Sequence, residues 1–260
     1  MRDEIRYPNK AVWIVVGLVA FLCALSMVLI PVVRKEPNPP YDLRLFVVNP
    51  PQGFRIDEAL EAIKRDPNDV ASLLQVQHYY AYQGEWEKVV EIGKKIVASP
   101  QGAREGSAYL GLVYAYIYLG QPQTAQEWIA NGLRKVADKQ LRAQLHRAAG
   151  DILLLQYEAR RSRYDLSMAA IDYQLALQEW PEYAFARANL AYVRFREGNI
   201  LSARQLIREV LQSSASTPRD KAVATYYLAQ IEEISGNIAE AKRLYNQARE
   251  MHPESFIERR

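Results

Sequence analysis

Three histidines, one cysteine and thirty carboxylates are the side chains of this sequence that could do acid–base, nucleophilic or metal chemistry. Their spacing assembles none of it. His78, His146 and His252 stand far apart, and none shares a metal-ligand spacing with another His or with Cys23. A lone Cys can form no internal disulfide. No Gly-rich phosphate loop is present, and no serine sits in a nucleophile-elbow context. Asp and Glu alternate with Lys and Arg, as on solvated helix faces. The sequence therefore predicts no catalytic residue, no cofactor and no metal, and the chain is not expected to be an enzyme. Its 33 basic and 30 acidic residues leave +3 with no long basic run, so no nucleic-acid partner is expected, and no small-molecule substrate. What stands out is ring surface. Seventeen Tyr against six Phe supply many rings with one wet end, as occurs on binding surfaces.

The elements that must position these rings begin with a membrane segment. Residues 11–33, AVWIVVGLVAFLCALSMVLIPVV, carry no charge. As a helix they span roughly 34 Å, against a hydrocarbon core of about 30 Å. The run is too long for a signal peptide, and Pro31-Val32-Val33 is a poor cleavage context. A lipoprotein signal is also excluded, because bulky Leu22 precedes Cys23. Residues 11–33 are therefore expected to cross the bilayer once, after an N-terminal tail 1–10. Arg2, Arg6 and Lys10 on one side balance Arg34, Lys35 and Arg44 on the other, so the positive-inside rule returns a tie. A short tail before a large domain inserts as a signal anchor. That predicts a cytoplasmic N-terminus and a domain outside the cytoplasm, in the periplasm if the source is Gram-negative. Residues 34–56 form a Pro-rich linker with Pro37, Pro39, Pro40, Pro50 and Pro51. It reads as a semi-rigid spacer, within which Leu43 to Val48 could alternatively dock on the domain or on a partner.

From residue 57 the pattern is helical and repetitive. Gln83-Gly84, Leu119-Gly120, Glu197-Gly198 and Ser235-Gly236 each end one helical stretch and precede another. A glycine suits the positive φ that follows a helix. The unit is helix, tight turn, helix, of about 34 residues. In the last unit Ala222 stands at position 1, Ala229 at 8, Gly236 at 15, Ala241 at 20, Ala248 at 27 and Pro253 at 32. The preceding unit begins at Ala184, with Ala191, Gly198, Ala203 and Val210 at 8, 15, 20 and 27. Small residues at 8, 20 and 27 let the two helices cross closely. Units starting at Val70 and Gly106 fit less well: Gln77 occupies the first unit's position 8, and Gly111 falls early in the second. In the middle unit Gly150 is the best position 8, and seven residues too many separate it from Ala169. Two elongated helices joined near Arg160 to Tyr164 are predicted there. Residues 57–66 resemble a lone second helix that caps the stack.

On these residues the sequence resembles the tetratricopeptide-repeat (TPR) family over 57–256, leaving 257–260 as a C-terminal tail. The resemblance implies an all-α fold: a superhelix of about five helix-turn-helix repeats with a concave groove, preceded by the transmembrane helix. In this family positions 2, 5, 9, 12 and 13 line the groove. Carried onto this chain, they give Leu74, His78 and Tyr82; Leu110, Tyr114, Ile117 and Tyr118; Phe185, Tyr192, Phe195 and Arg196; and Tyr226, Gln230 and Glu233. His78 is read as a polar contact in this surface. The family's carboxylate clamp for chaperone C-termini needs basic residues that Leu74 and its counterparts replace, so that role is not expected. The resemblance implies a protein partner, held as a peptide or helix in the groove, with the bilayer engaged through residues 11–33. The architecture is similar to that of bacterial anchored TPR proteins of envelope assembly and cofactor-protein maturation. The expected function is a membrane-tethered scaffold that recruits a partner protein or helps assemble a membrane complex. The alternative is a structural accessory subunit buried stably in such a complex.

Overall fold

The computed structural model describes residues 55–253. The tail, the membrane segment and nearly all of the linker expected above lie outside these residues, as do residues 254–260. Among the described residues no helix is long and apolar enough to cross a membrane.

Eleven helices and no strands make up the described residues: α1 Ile56–Arg65, α2 Val70–Gln83, α3 Trp86–Ala98, α4 Gly106–Tyr118, α5 Pro122–Lys135, α6 Lys139–Arg160, α7 Arg163–Glu179, α8 Ala184–Arg196, α9 Ile200–Gln212, α10 Pro218–Ile234 and α11 Ile238–Met251. Each helix packs on the next, and α2 also touches α4, α4 touches α6, and α8 touches α10. This is a stack of five helix pairs, with α1 packed against the first. The even-numbered helices from α2 to α10 line up as neighbours.

The turns within four pairs close on Gly84, Gly120, Gly198 and Gly236, with φ of 76°, 70°, 85° and 85°. That left-handed region suits a residue without a Cβ. The middle pair turns instead on Arg161 at φ 56°, whose N–H donates to Tyr157 O at 2.6 Å. A non-glycine in this conformation is disfavoured by about 1 kcal/mol. This explains why the glycine spacing lapses between Gly120 and Gly198. The helices it joins are long, 22 residues for α6 and 17 for α7, as the seven-residue surplus predicts.

The helix crossings explain the irregular early units. Gln77 is fully buried, and its Nε2 donates to Val89 O at 3.3 Å and Ala108 O at 3.4 Å. Room for it comes from two glycines on neighbouring helices. A Cβ added at Gly93 or Gly111 would sit 2.4 or 2.5 Å from that nitrogen. The large residue at the crossing is thus compensated by the small residues Gly93 and Gly111 on the neighbouring helices. The same packing logic holds in the core of α4, α5 and α6, where Tyr109, Leu112, Ile129, Leu145 and Ile152 pack together. Gly132 lies close under Leu145 and Tyr109 there.

One boundary departs from the repeat pattern. α10 begins at Pro218, four residues before Ala222. Thr217 and Asp220 form a reciprocal capping box, with the Asp220 backbone N–H donating to Thr217 Oγ1 at 3.2 Å and the Thr217 N–H donating to Asp220 Oδ2 at 2.8 Å. Pro218 at the first helical position has no N–H to leave unmet. The cap therefore adds a full turn to the start of the helix.

Candidate functional site

The even-numbered helices converge on one cavity of about 500 Å³. Its lining comes from His78 and Ala81 of α2, Leu110, Gly111, Tyr114 and Tyr118 of α4, Leu141, Gln144 and Arg147 of α6, and Phe185 of α8. Arg219 and Asp220 on the extra turn of α10 complete it, together with Trp86, Trp180, Glu182, Tyr183 and Thr217.

Two aromatic pairs stand on its walls. Trp86 and Tyr118 stack at 4.0 Å between centroids and 11° between planes; Trp180 and Tyr183 stack at 4.6 Å and 15°. The first pair joins the start of α3 to the end of α4. The second is held by the short link after α7, where Pro181 stops one helix and Tyr183 immediately precedes the next. Stacked rings lose little freedom when a ligand covers them, which suits an apolar contact surface.

Arg147 lies at the back of the cavity, 1 % exposed. Its guanidinium lies 5.6 Å from the Tyr114 ring centroid, 5.9 Å from Tyr183 and 5.1 Å from Phe185, and it donates to the Tyr114 hydroxyl. Behind it Asp151 Oδ2 stands 3.6 Å from Nη1. Asp151 Oδ1 also accepts from Tyr173 Oη at 2.8 Å and from Asn189 Nδ2 at 3.0 Å. Tyr227 Oη in turn donates to Asn189 Oδ1 at 3.4 Å. One buried polar network thus ties α6, α7, α8 and α10 to the floor of the cavity. Burial pushes the Tyr183 hydroxyl up to about 12, and Tyr114 also rises. Both phenols therefore stay neutral near pH 7 and serve as hydrogen-bonding groups.

His78 keeps an exposed edge at the mouth. Desolvation by the adjoining wall nevertheless holds its imidazole below its ordinary value, and the Glu105 carboxylate only partly opposes this. The ring is therefore neutral at pH 7. In an NMR titration of the full-length protein the His78 ring is expected to titrate below pH 6.5. Glu105→Gln is expected to lower the midpoint further. A midpoint at or above the free value would show that the wall does not desolvate the ring.

Of the residues carried over from the repeat resemblance, the structure brings five together: His78, Leu110, Tyr114, Tyr118 and Phe185. Leu74 packs instead on the cluster of Leu73, Ile96 and Ala108. Tyr82 is exposed on the last turn of α2 and does not line the cavity. Tyr192 is 1 % exposed, donating to Glu158 Oε1 at 2.7 Å and packing 4.9 Å from Tyr227. Arg196 donates to the Tyr192 hydroxyl at 3.3 Å and covers the Tyr157 ring at 5.6 Å. Phe195 and Tyr226 are buried, Tyr226 5.1 Å from the Tyr245 ring. Ile117 packs on the α4 core, and Glu233 accepts from Tyr245 Oη at 2.8 Å. In the last two pairs Tyr192 and Tyr226 fasten one helix to the next, whereas the five residues above line the cavity.

Sequence reasoning overlooked Arg147, Arg219 and the two tryptophans. Arg147 carried a signal. With Gly150 at position 8 of the middle unit, positions 2, 5 and 9 fall on Gln144, Arg147 and Asp151. The irregular helix length obscured that register. Arg219 stands before position 1 of its unit, and only the Thr217-to-Asp220 capping signal could have revealed the turn that carries it.

Among the described residues no cluster of His, Cys, Asp or Glu could hold a metal ion. No protein-family model matches the sequence, and no curated protein matches it. Among solved structures the chain is similar to YrrB, described as a TPR protein with an unusual peptide-binding site. That similarity has 16 % identity and a TM-score of 0.49, and covers 77 % of this chain and 95 % of that one.

Proposed function

We propose that this protein is a membrane-tethered scaffold that binds a segment of a partner protein in the cavity between its even-numbered helices. One observation carries the reading. Among the described residues, two stacked Trp–Tyr pairs and the rings of Tyr114 and Phe185 line one cavity, backed by the buried polar network of Arg147 and Asp151. Aromatic anchors around a preformed depression suit the side chains of a docked helix or extended peptide. The uncharged run 11–33 supplies the tether, and the domain is read as lying outside the cytoplasm.

Site-specific photocrosslinking in native membranes tests the binding reading. A photoreactive residue at His78, on the mouth of the cavity, is expected to trap one discrete partner band. The same group at Leu201, which is 83 % exposed and does not line the cavity, is expected to trap none or a different one. Equal patterns from both positions, or no adduct from His78, would sink the proposal. Cysteine labelling with a membrane-impermeant reagent at position 201 in intact cells, against lysed cells, tests the side of the membrane. Labelling only after lysis would place the domain in the cytoplasm.

A further inference from the structure

The turns within the last three helix pairs lie side by side. Arg196, at the end of α8, covers the Tyr157 ring near the end of α6 at 5.6 Å. Arg204, near the start of α9, is paired with Glu232, near the end of α10. The turns at Arg161, Gly198 and Gly236 therefore form one edge of the stack, and the links between pairs lie a helix length away.

Apolar side chains meet water along that edge. Among the described residues the three most exposed large apolar side chains are Leu201, Ile234 and Tyr164, at 83, 73 and 70 %. Tyr164 follows the Arg161 turn, Leu201 follows the Gly198 turn, and Ile234 precedes the Gly236 turn, with Ile238 exposed just after it. Leu60, Tyr82, Leu155 and Ile171, the other large apolar side chains that reach the surface, are each less than half exposed. The tips stand on three separate turns and form no groove.

Around Tyr164 the edge is basic. Arg160, Arg161 and Arg163 are exposed there. Glu158 is paired with Arg161 at 2.7 Å, and Asp165 is buried. Beside Leu201 and Ile234 the acids are held within the fold: Glu197 by Arg194 at 2.7 Å, Glu232 by Arg204, and Glu233 by the Tyr245 hydroxyl at 2.8 Å.

We propose that this edge rests on the surface of a bilayer containing anionic lipid, with Tyr164, Leu201 and Ile234 dipping among the headgroups and the arginines beside Tyr164 on lipid phosphates. This rests on reading residues 11–33 as a membrane tether. Separate apolar tips suit a fluid surface that closes around each one, whereas a folded partner needs a continuous complementary face. Tyr and Arg are residues that settle at the headgroup level, and anionic lipid attracts the arginines. The tether makes a weak contact count. Residues 34–54 extend to at most about 70 Å, which keeps the edge at high effective concentration near the bilayer. The contact is reversible and lies at headgroup depth, so a cysteine at 201 stays reachable from the water.

The test uses the full chain with Cys23→Ser, reconstituted in vesicles of phosphatidylcholine with or without phosphatidylglycerol. An environment-sensitive fluorophore is attached to Tyr164→Cys, Leu201→Cys, Ile234→Cys or Ser214→Cys; Ser214 is exposed in the link after α9, away from this edge. All four positions are at the surface, where a substitution costs little stability. With phosphatidylglycerol present, lipids brominated on their acyl chains are expected to quench the three edge probes about twofold or more beyond the Ser214 probe. Leaving out phosphatidylglycerol should weaken quenching most at 164, where the arginines stand. Flotation after carbonate extraction reads the tether separately. A chain that floats while its edge probes quench no more than the Ser214 probe would overturn the surface contact and leave the tether standing. A blue shift at the edge without bromine quenching would mean that a second copy covers it, and would also overturn the contact. Quenching at 164 that does not change without phosphatidylglycerol would remove the arginines from it. A chain that fails to float would overturn tether and contact together.

Discussion

Asp151→Ala is expected to lower the unfolding free energy by about 3–5 kcal/mol, the range for removing one partner of a buried ion pair. The carboxylate is 1 % exposed, stands beside the equally buried Arg147, and accepts hydrogen bonds from Tyr173 and Asn189. Alanine leaves a buried guanidinium without its carboxylate and removes the acceptor of two buried donors. A loss of that size is a large fraction of the roughly 5–15 kcal/mol by which domains are stable. Asp151→Asn retains one acceptor oxygen without the charge, so its cost should fall between wild type and alanine. The double replacement Arg147→Met with Asp151→Leu removes both charges at once and should recover most of the loss. Urea unfolding of the full chain in detergent, followed by far-UV circular dichroism, reads all four proteins. A cost under about 1 kcal/mol for Asp151→Ala would mean that this network does not hold the centre of the stack.

Gly150→Ala is expected to destabilise the protein by about 1–3 kcal/mol, the range for overpacking a core. The sign is the informative part, because alanine is favoured over glycine by about 1 kcal/mol inside a helix when nothing obstructs it. Here a Cβ would lie 2.8 Å from Tyr173 Cε1 and 2.9 Å from its Cζ. Tyr173 is fully buried, and its hydroxyl is fixed on Asp151. The ring cannot retreat without giving up that bond, so the clash and the lost hydrogen bond come together. Tyr173→Leu removes the obstructing ring. In the double variant Gly150→Ala with Tyr173→Leu, the alanine should then cost much less than it does alone. Costs that simply add across the thermal melts of the single and double variants would contradict the clash.

The two variants bear on the same crossing, which the sequence showed only in part. Gly150 was recognisable as the small residue of the middle unit, and the surplus before Ala169 required longer helices. The identity of what presses on Gly150 was not legible, because Tyr173 lies on the next helix at a distance set by the turn at Arg161. No local rule predicts a left-handed arginine there. The candidate site divides in the same way. His78, Leu110, Tyr114, Tyr118 and Phe185 followed from a repeat register, since a register fixes which face of a helix a residue occupies. That register gave Tyr192, Phe195 and Tyr226 equal standing. They are buried because the first helices of the last two pairs pack together there, with Tyr192 against Tyr227. Whether a face meets solvent or a neighbour depends on how far apart successive pairs stand, and periodicity does not encode that distance.

By itself, then, the sequence determined the helix-turn-helix unit, the glycines that close four of its turns and the lengthened middle pair. These are local properties, set by φ, by side-chain volume and by spacing along one helix. Tertiary structure alone decided that residues of α2, α4, α6, α8 and α10 line a common cavity, and that Arg147 and Arg219 meet there on the ring of Phe185. The physical reason is that the two arginines belong to helices far apart in the chain, and only the stacking of the pairs between them sets their separation.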